Sequence, residues 1–388
     1  MKKIISFFII IGIGLLFTAC SLNIDTNVIV ASTYPAYDLT KRIVGDKYEV
    51  TQFVPNGQEP HDYEPTAKKI GALYDAKLYI EIGFGFEAYT NSLPDEIKNK
   101  ALTLTVIANM TSNYGESLGN ISSVQKVFRG GKEYATRSRE SLKNAICVQS
   151  GFYDDLQTSN DGAMQKLVNE DVNAATCRAL EGGYMSTKDV TYIRNSSFYL
   201  TDAVATEPFI NDARFHNNLY LATNYAMAHG LNVQNNAKDC GLMPYQYEYD
   251  KSSKIYSLTI DLEKIGKDEN FGAEADNAEK CERVIALINA VENLSLVVKG
   301  NLDNAEPIFV VGGLSPRKTH IFENAVSVSG KRLIIEPIKE KLVQGYSCAL
   351  MRNGELSNED EIVRELNPVS MTEFFENLRG QVKEYFSE

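Results

Sequence analysis

The distribution of apolar residues predicts an α+β chain in two parts behind an apolar leader. The first part is an incomplete α/β lobe with a parallel sheet, over residues 21–98. The second is a larger core of strands and helices carrying a long insertion, over residues 99–388. Three observations lead there: short apolar strands alternate with helical stretches up to about residue 82, the pattern changes at Ala101, and a polar Asn- and Tyr-rich stretch interrupts the second part. A chain of 388 residues is long enough for two such cores.

In the first part, Val28 to Val30 reads as a short buried strand and Tyr34 to Val44 as a helix, with Leu39 and Ile43 four apart. Tyr48 to Val54 is a second strand, Thr66 to Tyr74 a second helix and Lys77 to Ile82 a third strand. Ahead of them, Lys2-Lys3 is followed by an apolar run ending Phe17-Thr18-Ala19-Cys20. That is the form of a secretory signal, residues 1–20, with Cys20 as the lipidated residue of a lipoprotein. It predicts a membrane-anchored lipoprotein.

The second part opens with ALTLTVIA, placing Leu102, Leu104 and Val106 on one face and Thr103 and Thr105 on the other. A glycine-bearing loop, Ser112 to Ser122, leads to the hairpin VQKVFRGGKEYATR, whose Gly130-Gly131 pair suits a tight turn. The helix RSRESLKNAI, Arg137 to Ile146, follows. Residues about 155–250 read as the insertion. Order returns with IYSLTIDL, an amphipathic helix whose buried stripe is Val284, Leu287, Ile288, Val291 and Leu294, the strand PIFVVGG, a strand KRLIIEPI and a last helix packed through Phe374, Phe375, Leu378 and Val382. Strand, hairpin, helix, insertion, strand, helix, strand is compatible with a ferredoxin-like, RRM-type βαββαβ core.

The net charge of −12 argues against a generally basic nucleic-acid binder, so any basic site must be concentrated. The best concentration is Val124 to Lys143, where Lys126, Arg129, Lys132, Arg137, Arg139 and Lys143 stand against Glu133 and Glu140. A second candidate is GGLSPRKTH, with Arg317, Lys318 and His320 after a strand. The six cysteines (Cys20, Cys147, Cys177, Cys240, Cys281, Cys348) show no C-x-x-C spacing and give no zinc or disulfide framework. No nucleophile triad, Walker loop or reasoned carboxylate pair appears, and no catalytic residue is nominated.

ASTYPAYDLTKRIVGDKYEVTQFVPNGQEPHDYEPTAKKIGALYDAKLYIEIGFGFE resembles the start of the ZnuA-like zinc and manganese solute-binding lipoproteins of ABC importers. His61 in PHDYEPT matches that family's first metal ligand. None of the family's other ligands carries over, because His216, His229 and His320 lie outside its motifs. A zinc site normally needs three or four protein ligands, so any zinc at His61 alone would be held weakly. Metal transport by an importer lipoprotein is the alternative function.

NYGESLGNISSVQKVFRGGKEYATRSRESLKNAI resembles the opening of the DevR family, the type I-B members of the Cas-seven group. The match continues in order through EGGYMST, SSFYLTDAVATEPFINDARFHNN, PYQYEYDKSSKIYSLTIDLEKIG and VVKGNLDNAEPIFVVGG, covering 101–388. The resemblance implies a non-catalytic cytoplasmic subunit, without a cofactor, that coats CRISPR RNA in a Cascade complex for antiviral defence. Its implied partners are CRISPR RNA, copies of itself, other Cascade subunits and, through the guide, target DNA. RNA contact is expected from Asn113, Tyr114 and Gly115 of the glycine loop and from the two basic clusters, with the insertion forming a thumb over the RNA.

The two parts imply different compartments. A hybrid reading frame, joining a truncated receptor gene to a DevR-type gene near Asn99, is the hypothesis that accounts for this. A native peptide spanning Lys98 to Thr111 in a proteolytic digest is the expected result for a single polypeptide. Finding the two parts only on separate chains rules it out.

Overall fold

The computed structural model describes residues 27–60, 63, 65–74, 76–82, 99–115, 121–161, 163–187, 190–298, 300–342 and 345–387. The leader with Cys20, and His61, lie outside them. The chain divides into two compact units, Met1–Ile97 and Lys98–Glu388.

In the first unit, β1 (Val28–Ala31), α1 (Tyr34–Val44), β2 (Glu49–Gln52), α2 (Ala67–Tyr74) and β3 (Leu78–Ile80) alternate as expected. They build a three-stranded parallel sheet in the order β2-β1-β3. Val30, Phe53, Val54 and Leu73 form one small core, and Ala31, Ala36 and Val50 another. The four-residue spacing of Leu39 and Ile43 does mark a helix, but both side chains are exposed, and α1 buries Ala36 and Thr40 instead. The sheet side of α1 therefore carries its small residues, which bring the helix close to the strands.

The second unit is organised around β4 (Ala101–Thr111). The hairpin of β6 (Lys126–Arg129) and β7 (Lys132–Arg137) follows a two-residue strand β5 (Ile121–Ser122). Gly130 and Gly131 turn it with φ of 56° and 76°, the two positive values that a type I′ turn requires. Helix α3 (Arg139–Gln149) comes next, capped by Ser138, whose Oγ accepts from the Ser141 N–H. Helix α3 thus starts two residues later than the sequence suggests: Arg137 closes β7 and is buried.

The insertion over 155–250 is not one piece. Strands β8 (Thr158–Asp161), β9 (Ala163–Lys166), β10 (Tyr184–Ser186) and β11 (Tyr192–Arg194) form a first excursion. The chain then returns to the main sheet as β12 (Phe198–Leu200) and β13 (Ala203–Ala205), both antiparallel to β16 (Lys251–Asp261). A second excursion carries β14 (Ala213–Asn217), α4 (Leu219–Ala228) and β15 (Pro244–Glu248). The return is dictated by Phe198 and Leu200, which alternate about Tyr199 and are buried among the helices.

After β16 come the short β17 (Lys267–Asp268) and β18 (Ala273–Glu274), α5 (Asn277–Glu292), the hairpin β19 (Ser295–Val298) and β20 (Asn301–Asn304), and β21 (Pro307–Ser315). KRLIIEPI is mostly not a strand. Only Arg332–Leu333 pairs, as β23 with β22 (Val328–Ser329), Ile334 and Ile335 link on, and α6 (Glu336–Leu342) begins with the last three residues, with Pro337 in its first turn where no N–H is needed. The edge strand β24 (Ser347–Leu350), α7 (Glu359–Leu366) and α8 (Met371–Ser387) complete the unit.

The main sheet runs β24-β21-β4-β16-β13-β7-β6, with β12 also on β16, and every pairing is antiparallel. Strand β4 pairs with β16 along all eleven residues, from Ala101 opposite Asp261 to Thr111 opposite Lys251, and with β21 on its other edge. Leu102, Leu104, Val106, Ala108 and Met110 meet Leu142 and Ile146 of α3, Leu287 and Val291 of α5 and Phe375 of α8 in the larger core. On the opposite face Ile107, Phe309, Val311, Phe322, Ile338 and Ile362 form a second core beneath α6 and α7. The five described cysteines carry no disulfide. No helix among the described residues is long and apolar enough to cross a membrane.

The first excursion is fixed by charge. Glu181, fully buried, accepts from Arg194 (3.1 Å), Arg283 (2.7 Å), the Gly266 N–H (2.6 Å) and the Ser197 hydroxyl. Two guanidiniums on one carboxylate would leave a buried positive charge. Glu279 balances it by accepting from Arg283 Nε at 2.7 Å.

Gly312 lets β21 approach β4. A Cβ there would lie 2.0 Å from the Thr103 carbonyl oxygen, in the middle of the sheet. Gly312→Ala is expected to destabilise the second unit by about 3 kcal/mol, read as a fall of several degrees in its Tm. An unchanged transition would show that the two strands can separate without cost.

Candidate nucleic-acid interface

Strand alternation decides which side chains face away from α3, α5 and α8. On β4 and β16 these include Ile107 and Ile255 and a set of hydroxyls. Thr105 and Ser257 share a hydrogen bond at 2.7 Å, and Thr103 and Thr259 at 3.3 Å. All four are buried, because the segment after β21 covers them: His320 Nδ1 lies 2.8 Å from Thr259 Oγ1. The centre of this face is therefore sealed.

Beyond the cover, over β12, β13 and β7, a groove of about 730 Å³ remains open. Its floor includes Val204, Ile255 and Ser257, and its walls include Arg129, Arg139, Tyr134, Tyr199, His320 and Glu323. Arg129 sits at the hairpin tip and is exposed. Arg139 opens α3. Its N–H donates to Asp202 Oδ1 (2.8 Å) and its exposed guanidinium to Glu140 Oε1 (2.9 Å). Such an exposed pair holds its arginine loosely, so a phosphate can compete for it. Burial lowers the His320 imidazole below its ordinary range, making it an uncharged ring at neutral pH.

The expected basic residues thus divide. Arg129, Arg139 and His320 meet at the groove; Lys132 and Arg317 are exposed away from its lining. Others are committed to the fold. Arg137 donates to the Thr111 carbonyl (2.9 Å) and to Ser141 Oγ (2.8 Å), and burial pulls its guanidinium down to about 10, still charged at neutral pH. Lys126 pairs with Glu248 at 2.6 Å and lies 4.6 Å from the Phe209 ring centre. Lys318 bridges Asp261 (2.8 Å) and Glu263 (2.7 Å). Lys143 donates to the Gly182 carbonyl (2.8 Å) and Ser196 Oγ (2.9 Å), over the Phe198 ring.

Of the glycine loop, Asn113 accepts from the Ser138 N–H (2.7 Å), at the start of α3. Tyr114 packs edge-on to Tyr247, and Gly115 N–H donates to the Ser123 carbonyl (2.9 Å). These three tie the loop to its neighbours and are not in the groove wall. The sequence reading missed Tyr134 and Tyr199. For Tyr199 the signal was there, an exposed ring between buried Phe198 and Leu200; Tyr134 stands between exposed Glu133 and buried Ala135 and carries no such alternation.

Residues 143–326 match the family model of the CRISPR-associated negative auto-regulator DevR/Csa2, and residues 29–125 that of the periplasmic zinc-uptake complex component A, ZnuA. The chain thus carries a segment similar to ZnuA and, after it, a segment similar to DevR/Csa2. The ZnuA match runs past the unit boundary, but Ala101–Thr111 is hydrogen-bonded on both edges to β16 and β21 and belongs to the second unit.

Among curated relatives, the chain is 38% identical over 88 residues to the high-affinity zinc uptake system protein ZnuA of Bacillus subtilis. That alignment covers 20% of this chain and 28% of that protein. The zinc-binding lipoprotein AdcA of Streptococcus pneumoniae is 34% identical over 83 residues, 21% of this chain and 17% of AdcA. The chain therefore spans under a third of the length of either. A chain of a CRISPR RNA-guided surveillance complex overlays with a TM-score of 0.48 and 10% identity, over 74% of this chain and 99% of that one. Among the described residues no group of three His, Cys, Asp or Glu could hold a metal ion, so the residues on view do not complete a zinc site.

Burial lowers Lys143 to about 8. Between pH 8 and its ordinary 10.5 the unfolded chain holds a proton that the native chain has released, so this group's contribution to stability rises with pH. Comparing wild type with Lys143→Met by denaturant titration, the difference is expected to move in favour of wild type by about 2 kcal/mol from pH 8 to 10.5. A pH-independent difference would contradict it.

Proposed function

We propose that the second unit is an RNA-binding backbone subunit of a type I-B Cascade complex, coating CRISPR RNA in antiviral defence without catalysis. The observation that carries this reading is the DevR/Csa2 match over residues 143–326. The sheet order supports its finer part. Strands β21-β4-β16-β12, with α3 between the first and second in the chain and α5 between the third and fourth, follow a ferredoxin-like, RRM-type βαββαβ arrangement with two excursions. The partners on this reading are CRISPR RNA, further copies of the chain, other Cascade subunits and guide-paired target DNA. The working compartment is the cytoplasm.

The zinc-binding lipoprotein reading has one specific observation in its favour, the ZnuA match over residues 29–125. His61 would be its single family ligand and Cys20 its anchor. An equilibrium zinc titration of the full chain tests it, and uptake no tighter than that of one histidine would end it.

Single-strand RNA binding releases about 0.7 of a counterion for each phosphate neutralised. In fluorescence anisotropy of the full chain with a CRISPR repeat–spacer RNA, binding is expected to weaken with salt. Replacing Arg129 and Arg139 together by alanine should flatten the log–log salt slope by about 1.4. Absence of binding at low salt would overturn the RNA-binding reading.

A further inference from the structure

We infer that the groove over β12, β13 and β7 is the track for a short run of single-stranded RNA, with Tyr199 and Tyr134 as two separate stacking stations. This rests on the RNA-binding reading above and assigns it a place. Tyr199 stands opposite Thr259 on β16. Thr136 of β7 stands opposite Val204, and Val204 opposite Ile255. The Thr206 N–H bonds the Ser253 carbonyl, which continues that register and puts Tyr134 level with Ser253. The two tyrosines thus share one face of the sheet and lie six residues apart along it, about 20 Å at the rise of a strand. No single nucleotide spans that distance, and both rings line the same groove.

The position is forced by the rest of the face. An RRM-type sheet would offer its central strands for stacking, but here those carry buried hydroxyls, with His320 bonded to Thr259. Among the described residues, the strands from β12 outward keep aromatic rings accessible on this face, and Tyr199 is 45% exposed.

Charge decides how the strand is held. Arg129 and Arg139 face Asp202 and Glu323 in the same lining. Two cations against two carboxylates give no net attraction for phosphate. Electrostatics alone cannot seat a polyanion there, so base stacking must supply the difference, with the arginines taking individual phosphates at the rim. Stacking on a ring is sequence-tolerant, which is what a subunit that must accept any guide requires.

The test uses the full chain and a fluorescent single-stranded RNA across a salt series. Tyr199→Ala and Tyr134→Ala are each expected to weaken binding about tenfold at every salt concentration. Together they should weaken it about a hundredfold, because sites this far apart act independently. The salt slope stays that of wild type, unlike the arginine variants, and Tyr→Phe at either position retains binding. Unchanged Tm values exclude unfolding as the cause. Photocrosslinking of a uridine-rich strand should yield adducts at Tyr199 and Tyr134. If both alanine variants bind like wild type while the Arg129 and Arg139 variants weaken, the track is overturned and the RNA-binding function stands. If wild type binds no RNA at low salt, both fall.

Discussion

Strand β4 is hydrogen-bonded on both edges and buried on both faces, and the main sheet and both cores of the second unit take their place from that. The eleven-residue register with β16 leaves no freedom to slide. A slip of one residue would drive Thr103 and Thr105 among Leu142, Leu287 and Phe375, and turn Leu102 and Leu104 toward Ser257 and Thr259. Burying unpaired hydroxyls is costly, whereas here each is bonded across the strands. Gly312 belongs to the same constraint, since β21 can lie on the second edge of β4 only where there is no side chain in the way.

The cations show how little a local charge count says about function. Between Val124 and Lys143 the sequence carries six, and the fold spends three of them internally. Arg137 ties β7 to the end of β4, Lys126 holds the second excursion through Glu248, and Lys143 closes the first through Gly182. What remains for solvent is Arg129, Lys132 and Arg139. Arg194 and Arg283, which drew no notice in the sequence, are buried around Glu181 as a hub for three separated segments. A cation on a strand end or beside an acidic neighbour far along the chain is more often fastened than free, and only the tertiary pairing tells which.

Long, strongly patterned elements were legible. The alternation in ALTLTVIA and IYSLTIDL, the glycine pair of the hairpin, the stripe of α5 and the apolar residues of α8 all appear where the residues point. Short ones were not. Phe198–Leu200 and Ala203–Ala205 are three residues each, too few for a period to stand out from a polar stretch, so the return of the chain to the sheet was hidden inside an apparent insertion. KRLIIEPI is apolar enough for a longer strand, but of its buried residues Leu333 lies in a two-residue strand, Ile335 in the link after it and Ile338 in a helix. The groove itself could not be seen from composition, because it arises where the covering segment stops, a matter of tertiary contact. Its arginines were found by charge, its tyrosines only by register.

Strand β4 also sets a timetable for synthesis. Its partners β16 and β21 begin about 150 and 200 residues later in the chain. At roughly 5–20 residues per second on the ribosome, an eleven-residue stretch of leucine, valine, isoleucine and threonine waits on the order of ten seconds or more before either edge can be covered. During that interval its strand edges are bare and of the kind that recruit other chains. The hairpin and α3 can form locally in the meantime, but neither pairs with β4. The central strand is thus made first and housed late, and the yield of soluble protein depends on what shields Ala101–Thr111 while the rest is still being made.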